Sequence, residues 1–216
     1  MPVRFPDDTQ RISIVGATGS GKTQAALWHL SHRRYDHMPW VVYNTKSDAS
    51  IDAIPYAHQI EIDKVPAEPG VYIVKPLPHQ QQEMQAHLWE IWQRGSMGVY
   101  IDEGYAMGAQ NEPFRALLTQ GRSKRVPMIV LSQRPVWLDR FVFSESEFFQ
   151  AFRLQHAKDR ASMEQIIPAR IDRLPVYHSW YYDALGNQLY SMRPVPSIDV
   201  IHGTFARRLA PERKVV

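Results

Sequence analysis

The stretch of the chain that most limits its possible folds is residues 16–23, with the sequence GATGSGKT. It fits the phosphate-loop pattern G-x-x-x-x-G-K-[ST] without a mismatch. An apolar run with strand character, Arg11–Val15, precedes it, and good helix formers, Gln24–Leu30, follow it. A strand, a glycine-rich turn and a helix in this order form the context in which the pattern binds phosphate. The sequence therefore predicts a nucleotide-binding α/β fold.

Each residue type in the motif has a role in holding phosphate groups. Glycines let the backbone curl so that its N–H groups point at phosphate oxygens, and the following helix presents its positive dipole end. Lys22 is predicted to reach the β- and γ-phosphates, and the Thr23 hydroxyl to bind Mg²⁺. The predicted nucleotide-binding residues are Gly16, Ala17, Thr18, Gly19, Ser20, Gly21, Lys22 and Thr23.

Length and composition narrow the class of protein. A chain of 216 residues suits one α/β domain with a substantial core. No run approaches the roughly 18 consecutive apolar residues that span a bilayer, so no membrane span is expected. The absence of cysteine excludes disulfides and thiolate metal sites. The net charge of +3 is too small by itself to indicate a nucleic-acid partner.

The order of apolar runs predicts the rest of the fold. Further strands are predicted at Trp40–Tyr43, Val71–Val74, Val99–Ile101, Met128–Leu131 and Phe148–Leu154, with a short one possible at Gln59–Ile62. Helices are predicted over 79–94, 113–120 and 158–167. Strands that alternate with helices indicate a mostly parallel sheet with helices on both faces.

The C-terminal part has a different pattern. Residues 176–193 read as two strands around a turn at Gly186-Asn187, a β-hairpin that is expected to add an antiparallel edge. We therefore expect a single domain over 1–216, with a core over about 10–175 and a hairpin over about 176–193. The basic residues near the C-terminus favour a solvated tail over about 203–216.

Two adjacent carboxylates follow a predicted buried strand. Asp102 and Glu103 come directly after Val99–Ile101, where the carboxyl end of a parallel strand would lie near the phosphate loop. Asp102 is predicted to hold Mg²⁺, and Glu103 to orient and deprotonate the attacking water. A water-activating base argues against a small-molecule kinase. The stretch Asn44–Asp48 has an extra residue relative to the Asn-Lys-x-Asp base reader and lies too early in the chain, which argues against a GTPase.

The next strand is flanked by further candidates. Gln133 follows it, where a γ-phosphate sensor is expected. The stretch Gly121–Arg125 precedes it and is predicted to reach a neighbouring subunit, where an arginine would stabilise charge on the transferred phosphoryl group. Arg122 is the first choice for this arginine finger, with Arg125 and Arg134 as alternatives.

The ordered set GATGSGKT, VYIDE and GRSKRVPMIVLSQRP resembles the FtsK–HerA superfamily of ring-forming DNA-pumping ATPases over about residues 10–140. The short chain is similar to the genome-packaging ATPases of tailless viruses with double jelly-roll capsids. The resemblance implies a RecA-like P-loop NTPase fold, ATP and Mg²⁺ as cofactors, and catalytic roles for Lys22, Glu103, Gln133 and Arg122. It also implies sequence-independent double-stranded DNA as a partner, a homo-oligomeric ring, expected to be a hexamer, and viral portal or capsid vertex proteins. The implied location is the packaging vertex of the virion and the host cytoplasm.

Other functions remain open on the sequence. One alternative is an ATPase that assembles or secretes filamentous phage, although such proteins usually carry a membrane segment. Another is a binding module in which the nucleotide switches partner affinity without motor activity. Hydrolysis that responds to duplex DNA would separate the packaging motor from both.

Overall fold

In the computed structural model, which describes residues 2–108 and 111–210, nine strands form one sheet. The strands are β1 Arg11–Val15, β2 Pro39–Tyr43, β3 His58–Gln59, β4 Gly70–Val74, β5 Gly98–Ile101, β6 Met128–Ser132, β7 Phe148–Phe152, β8 Ser179–Asp183 and β9 Gln188–Met192. The helices are α1 Lys22–Ser31, α2 Ala49–Asp52, α3 Gln81–Arg94, α4 Glu112–Gln120, α5 Arg140–Ser144, α6 Ala157–Glu164 and α7 Ile198–Leu209, with 3-10 turns at Gly104–Met107 and Pro135–Trp137.

The strand order is β3-β4-β2-β5-β6-β1-β7-β8-β9. Strands β1 to β7 pair in parallel, and β8 and β9 continue the sheet in antiparallel pairing. The predicted mostly parallel α/β fold and its C-terminal hairpin are confirmed. Because β6 lies between β1 and β5, the residues after β6 stand between the phosphate loop and the two carboxylates.

Alternate residues of the strands build two cores on opposite faces of the sheet, as the period of two requires. On one face, Ile129 and Leu131 of β6 pack with α1 and α7. On the other, Met128 and Val130 of the same strand pack with α3, α4 and α5. A third cluster joins α6 to β7. Helices on both faces hold the carboxyl ends of the parallel strands at one edge of the sheet.

The predicted C-terminal tail is wrong for residues 203–209. These residues are the second half of α7, whose Ile201 and Phe205 are buried in the same core as α1. Phe205 stacks on Tyr35 at 5.6 Å, and Arg208 Nη1 donates to the Ser31 carbonyl at 2.7 Å. The spacing of Ile198, Ile201 and Phe205 is the helical signal that the basic composition obscured. Residues 211–216 of the expected tail lie outside the described residues.

The segment after β2 differs from the sequence prediction in two ways. It contains the short helix α2, which was not predicted and whose N-terminus is capped by the Asp48 side chain accepting from Ser50 N. The short strand expected at Gln59–Ile62 is instead the two-residue β3 at His58–Gln59, paired with β4. Ile62, three residues after the end of β3, is buried in the core under α3.

Candidate nucleotide site

The phosphate loop fills the turn between β1 and α1 as predicted. Gly19 and Gly21 have φ angles of 72° and 95°, in the left-handed region that glycine adopts without a steric cost. The loop is held to both neighbouring strands, since Gly16 N donates to the Ser132 carbonyl and Ala17 N to the Arg153 carbonyl, each at 3.2 Å. The turn is therefore anchored by the sheet before any ligand binds.

The first turn of α1 is left open for an anion. Its N-cap, Gly21, has no side chain to accept from the helix N–H groups, and the first turn contains no acidic residue. The side chains of Asp48, Asn111 and Asp139 cap α2, α4 and α5, whereas α3, α6 and α7 share with α1 the lack of a side-chain cap. Unpaired N–H groups and the helix dipole together favour a bound phosphate at this position.

Lys22 is buried at the start of α1. Burial lowers the pKa of Lys22, and the charge of Lys46 adds to this effect, whereas Glu103 and Asp102 oppose it. Within the part of the chain that the structure describes, Lys22 makes no ion pair within 4.0 Å. A polyphosphate bound in the loop would supply the negative charge that a buried ammonium needs.

Asp102 follows β5 directly and is buried. Burial is the largest cause that raises the pKa of Asp102 to about 6. Because burial makes this carboxylate costly to ionise on its own, a bound cation would stabilise its charged form. Among the described residues, no group of three or more His, Cys, Asp or Glu side chains is placed to hold a metal ion. The Asp102 carboxylate suits Mg²⁺ instead, which proteins hold with one or two carboxylates together with substrate phosphates and water.

Glu103 is fully buried and both of its oxygens are occupied. Oε1 accepts from Gln133 N at 3.0 Å, and Oε2 accepts from Lys46 Nζ. Lys46 follows β2, which pairs with β5, so the sheet brings this lysine next to the carboxylate. Sequence reasoning considered Lys46 only as part of a rejected GTPase motif. The only sign of this contact in the sequence was the position of the lysine shortly after a predicted buried strand.

Gln133 connects the phosphate loop to Glu103. Its side-chain Oε1 accepts from the Thr18 hydroxyl at 2.8 Å, while its backbone N–H holds Glu103. Gln133 therefore lies between the loop and the carboxylate, and its role as a γ-phosphate sensor stays a prediction.

The three arginine candidates are not brought to the loop of their own subunit. Arg122 and Arg125 are exposed and precede β6, whereas the phosphate loop follows the carboxyl end of the neighbouring parallel strand β1. The length of a five-residue strand, about 16 Å, separates these two edges. Arg134 is nearer, but its Nε donates to Asp159 at 2.8 Å and its guanidinium lies over the Trp137 ring at 4.3 Å.

A cationic side chain that the sequence analysis missed does lie beside the loop. Arg153 follows β7 and lines a cavity of about 80 Å³ against the phosphate loop. The opposite wall is formed by Pro175–His178, the segment that leads into β8. The sequence did contain a signal for Arg153. Like Asp102 and Gln133, it is a polar residue near the end of a predicted strand.

Comparison with known proteins agrees with this geometry. No family model matches the chain. The chain is 44% identical over 217 residues to the DNA packaging ATPase P9 of Enterobacteria phage PRD1, covering 95% of this chain and 96% of the relative.

Solved structures show the same fold. The genome packaging NTPase B204 of Sulfolobus turreted icosahedral virus 2, in complex with AMPPCP, superposes with a TM-score of 0.70 at 15% identity, covering 88% of this chain and all of that one. The cytoplasmic domain of the type VII secretion ATPase EccC of Thermomonospora curvata gives a TM-score of 0.59 at 15% identity, covering 92% of this chain and 28% of that one. With the ordered motifs and a relative of nearly equal length, the chain belongs to the DNA packaging ATPase family represented by P9.

Proposed function

We propose that this protein is an ATP-driven double-stranded DNA translocase that packages a viral genome into a preformed capsid. The observation that carries the proposal is the 44% identity to a DNA packaging ATPase over 95% of the chain. A site with an open helix N-terminus, a buried lysine and two buried carboxylates supports the hydrolase activity.

In this proposal the phosphate loop and Lys22 hold the triphosphate, and Thr23 and Asp102 hold Mg²⁺. The metal supplies positive charge that offsets the charge of the phosphates. Glu103 accepts a proton from the water that attacks the γ-phosphorus, and ADP leaves as the bond to the β,γ-bridging oxygen breaks. Gln133, hydrogen-bonded to both Thr18 and Glu103, senses the γ-phosphate.

The contacts of Glu103 fit a resting site, that is, a site not yet arranged for hydrolysis. Gln133 N and Lys46 Nζ each take up one lone pair of the Glu103 carboxylate, so this base is partly engaged before substrate binds. Release of the contact with Lys46 would leave Oε2 fully available to the attacking water. Triphosphate in the loop competes for the Thr18 hydroxyl that now holds Gln133 and attracts the nearby Lys46 ammonium, so binding of substrate itself favours this release.

The position of Arg122 supports a ring. An arginine about one strand length from its own phosphate loop can reach a nucleotide only in a neighbouring subunit. Subunits arranged head to tail, with a hexamer as the expected number, would place Arg122 of each subunit at the site of the next. The duplex would pass through the ring, gripped through its phosphates without reading the sequence.

We further propose that the ring docks on portal or capsid vertex proteins, at the packaging vertex of the virion and in the host cytoplasm. Among the described residues, no helix is both long and apolar enough to cross a bilayer.

Steady-state ATP hydrolysis by the purified protein, with and without linear duplex DNA, tests the function. Stimulation by the duplex is expected, and the Lys22→Ala variant provides the background rate. Hydrolysis by the unaltered protein that ignores duplex DNA, both alone and with portal protein, would refute the translocase and favour an assembly ATPase or a nucleotide switch.

A further inference from the structure

A second cavity lies beside the start of α1, on the side away from Asp102 and Glu103. Its volume is about 280 Å³, and it is lined by Gly21, Gln24, Phe152, Tyr177, Pro194 and Val195. Tyr177 also lines the smaller cavity against the phosphate loop, so the two cavities meet at this ring. None of the roles assigned to the nucleotide site uses this space.

The backbone of Tyr177 is held in an unfavourable conformation. Its φ is 61°, a region in which a bulky residue is rare and costly. The side chain is 53% exposed, so burial of the ring does not offset the cost. Strain of this kind persists where the surrounding structure imposes it, and it is concentrated at functional sites.

The two aromatic rings of the cavity converge on the phosphate loop. A Cβ built on Gly21 would lie 3.3 Å from Tyr177 Cδ1 and 3.6 Å from Phe152 Cε1. Gly21 directly precedes Lys22, where the chain is predicted to grip phosphate. Since a nucleotide base is joined to its phosphates through a single ribose, a nucleotide bound in the loop must place its base in space that borders this turn.

We infer that this cavity binds the purine base of the nucleotide, with the ring of Tyr177 stacked on the base and Phe152 closing the apolar wall. Every base has a π-face, and stacking on an aromatic side chain is a general way to bind one. The inference rests on the proposed ATPase function, to which it adds the residues that hold the base. It also gives the C-terminal hairpin a role, because the hairpin is bounded by Tyr177 on one side and by Pro194 and Val195 on the other.

The polar groups of the cavity favour adenine. Gln24 Nε2 donates to the Pro196 carbonyl at 2.6 Å, which uses one N–H of the amide and leaves Oε1 and the second N–H for a ligand. Pro194 has no N–H and offers only its carbonyl oxygen. A glutamine amide can accept from the exocyclic amino group of adenine and donate to the neighbouring ring nitrogen, whereas guanine carries a carbonyl oxygen in place of that amino group and leaves Oε1 unpaired.

Calorimetric titration of ligand-free protein, unaltered and with Tyr177 replaced, tests the stacking. The probes are AMPPCP, which carries a base, and inorganic tripolyphosphate, which does not. Tyr177→Ala is expected to bind AMPPCP about tenfold more weakly and tripolyphosphate with unchanged affinity, since it removes one base-stacking contact. Tyr177→Phe keeps the ring and is expected to bind both probes as the unaltered protein does.

A matched control is available in Tyr56. It has a φ of 60° and is 55% exposed, but it precedes β3 at the opposite edge of the sheet. Tyr56→Ala therefore removes an equally strained and exposed tyrosine and is expected to leave the affinity for AMPPCP unchanged. Equal weakening of AMPPCP and tripolyphosphate by Tyr177→Ala, or no effect on either, would overturn the inference.

Competition by GTP tests the role of Gln24. The unaltered protein is expected to bind ATP analogues more tightly than GTP analogues, and Gln24→Leu is expected to lose most of this preference while still binding tripolyphosphate. A preference that survives in Gln24→Leu would overturn the assignment of Gln24. Failure of the unaltered protein to bind either AMPPCP or tripolyphosphate would refute the nucleotide-binding function itself, which separates the two hypotheses.

Discussion

Replacing Asp102 by asparagine measures the cost of keeping a carboxylate buried at the magnesium position. The side chain is 3% exposed, and burial raises its pKa from 3.8 to about 6. Asparagine has nearly the same shape and cannot ionise. The difference between the two proteins therefore reports the ionisation of this group, because the other titrating groups are common to both.

The sign follows from linkage. A carboxyl whose folded pKa is raised contributes stability at low pH that is lost as pH rises through the folded value, here about 6. The difference between 3.8 and about 6 corresponds to about 3 kcal/mol. In the absence of metal and nucleotide, we expect the unfolding free energy of Asp102→Asn to exceed that of the unaltered protein at pH 8 by up to this amount. The gap should shrink between pH 7 and pH 5.

Urea unfolding of both proteins in EDTA, at half-unit steps from pH 5 to pH 8, provides the measurement. A difference that stays constant with pH, or an asparagine variant that is less stable at pH 8, would refute the burial argument. Titration with Mg²⁺ in the presence of nucleotide gives a second readout. Below pH 6, binding should weaken by about tenfold per pH unit in the unaltered protein relative to Asp102→Asn, which corrects for the titration of the nucleotide.

Three further changes test the rest of the site. Glu103→Gln should still bind ATP, but its phosphate release should fall by about 10²–10⁴-fold because the general base is lost; a normal rate would reassign the base. Arg122→Ala should lose turnover alone and recover part of it when mixed with Lys22→Ala, whose subunits supply an intact finger to their neighbours; no recovery would argue against action in trans. Lys46→Met should raise DNA-free hydrolysis because it frees Glu103. This change also leaves the fully buried Glu103 carboxylate without its charged partner, so it should cost about 3 kcal/mol of stability by urea unfolding, and a lower basal rate in the folded variant would contradict the resting-site interpretation.

The parts of the site that were predictable from the sequence are local. Residues 16–23 form their turn because the glycines tolerate left-handed backbone and a strand and a helix flank them. Asp102 and Glu103 come directly after a short buried strand, so their place at the carboxyl edge followed from the strand alone. Their acid–base and metal-binding roles, and those of Gln133 and Arg122, remain predictions that the proposed variants test.

The parts that were missed depend on contacts between distant segments. Lys46 reaches Glu103 only because β2 pairs with β5, and single-sequence patterns do not specify which strands are neighbours. The basic composition from residue 203 onward predicts a solvated tail, whereas the packing of residues 203–209 on α1, as part of the helix Ile198–Leu209, is not visible in composition.

By itself, the sequence determined the phosphate-binding turn, the alternation of strands and helices, and the residues at the ends of β5 and β6. These features depend on backbone preferences and on apolar periodicity over a few residues. Only the tertiary structure decided that Lys46 donates a hydrogen bond to Glu103 and that Arg122 lies a strand length from its own phosphate loop. It also decided that the ring of Tyr177 lies next to Gly21. The reason is physical: these contacts depend on the order of strands in the sheet, which is selected by the burial of two whole faces and not by any one segment.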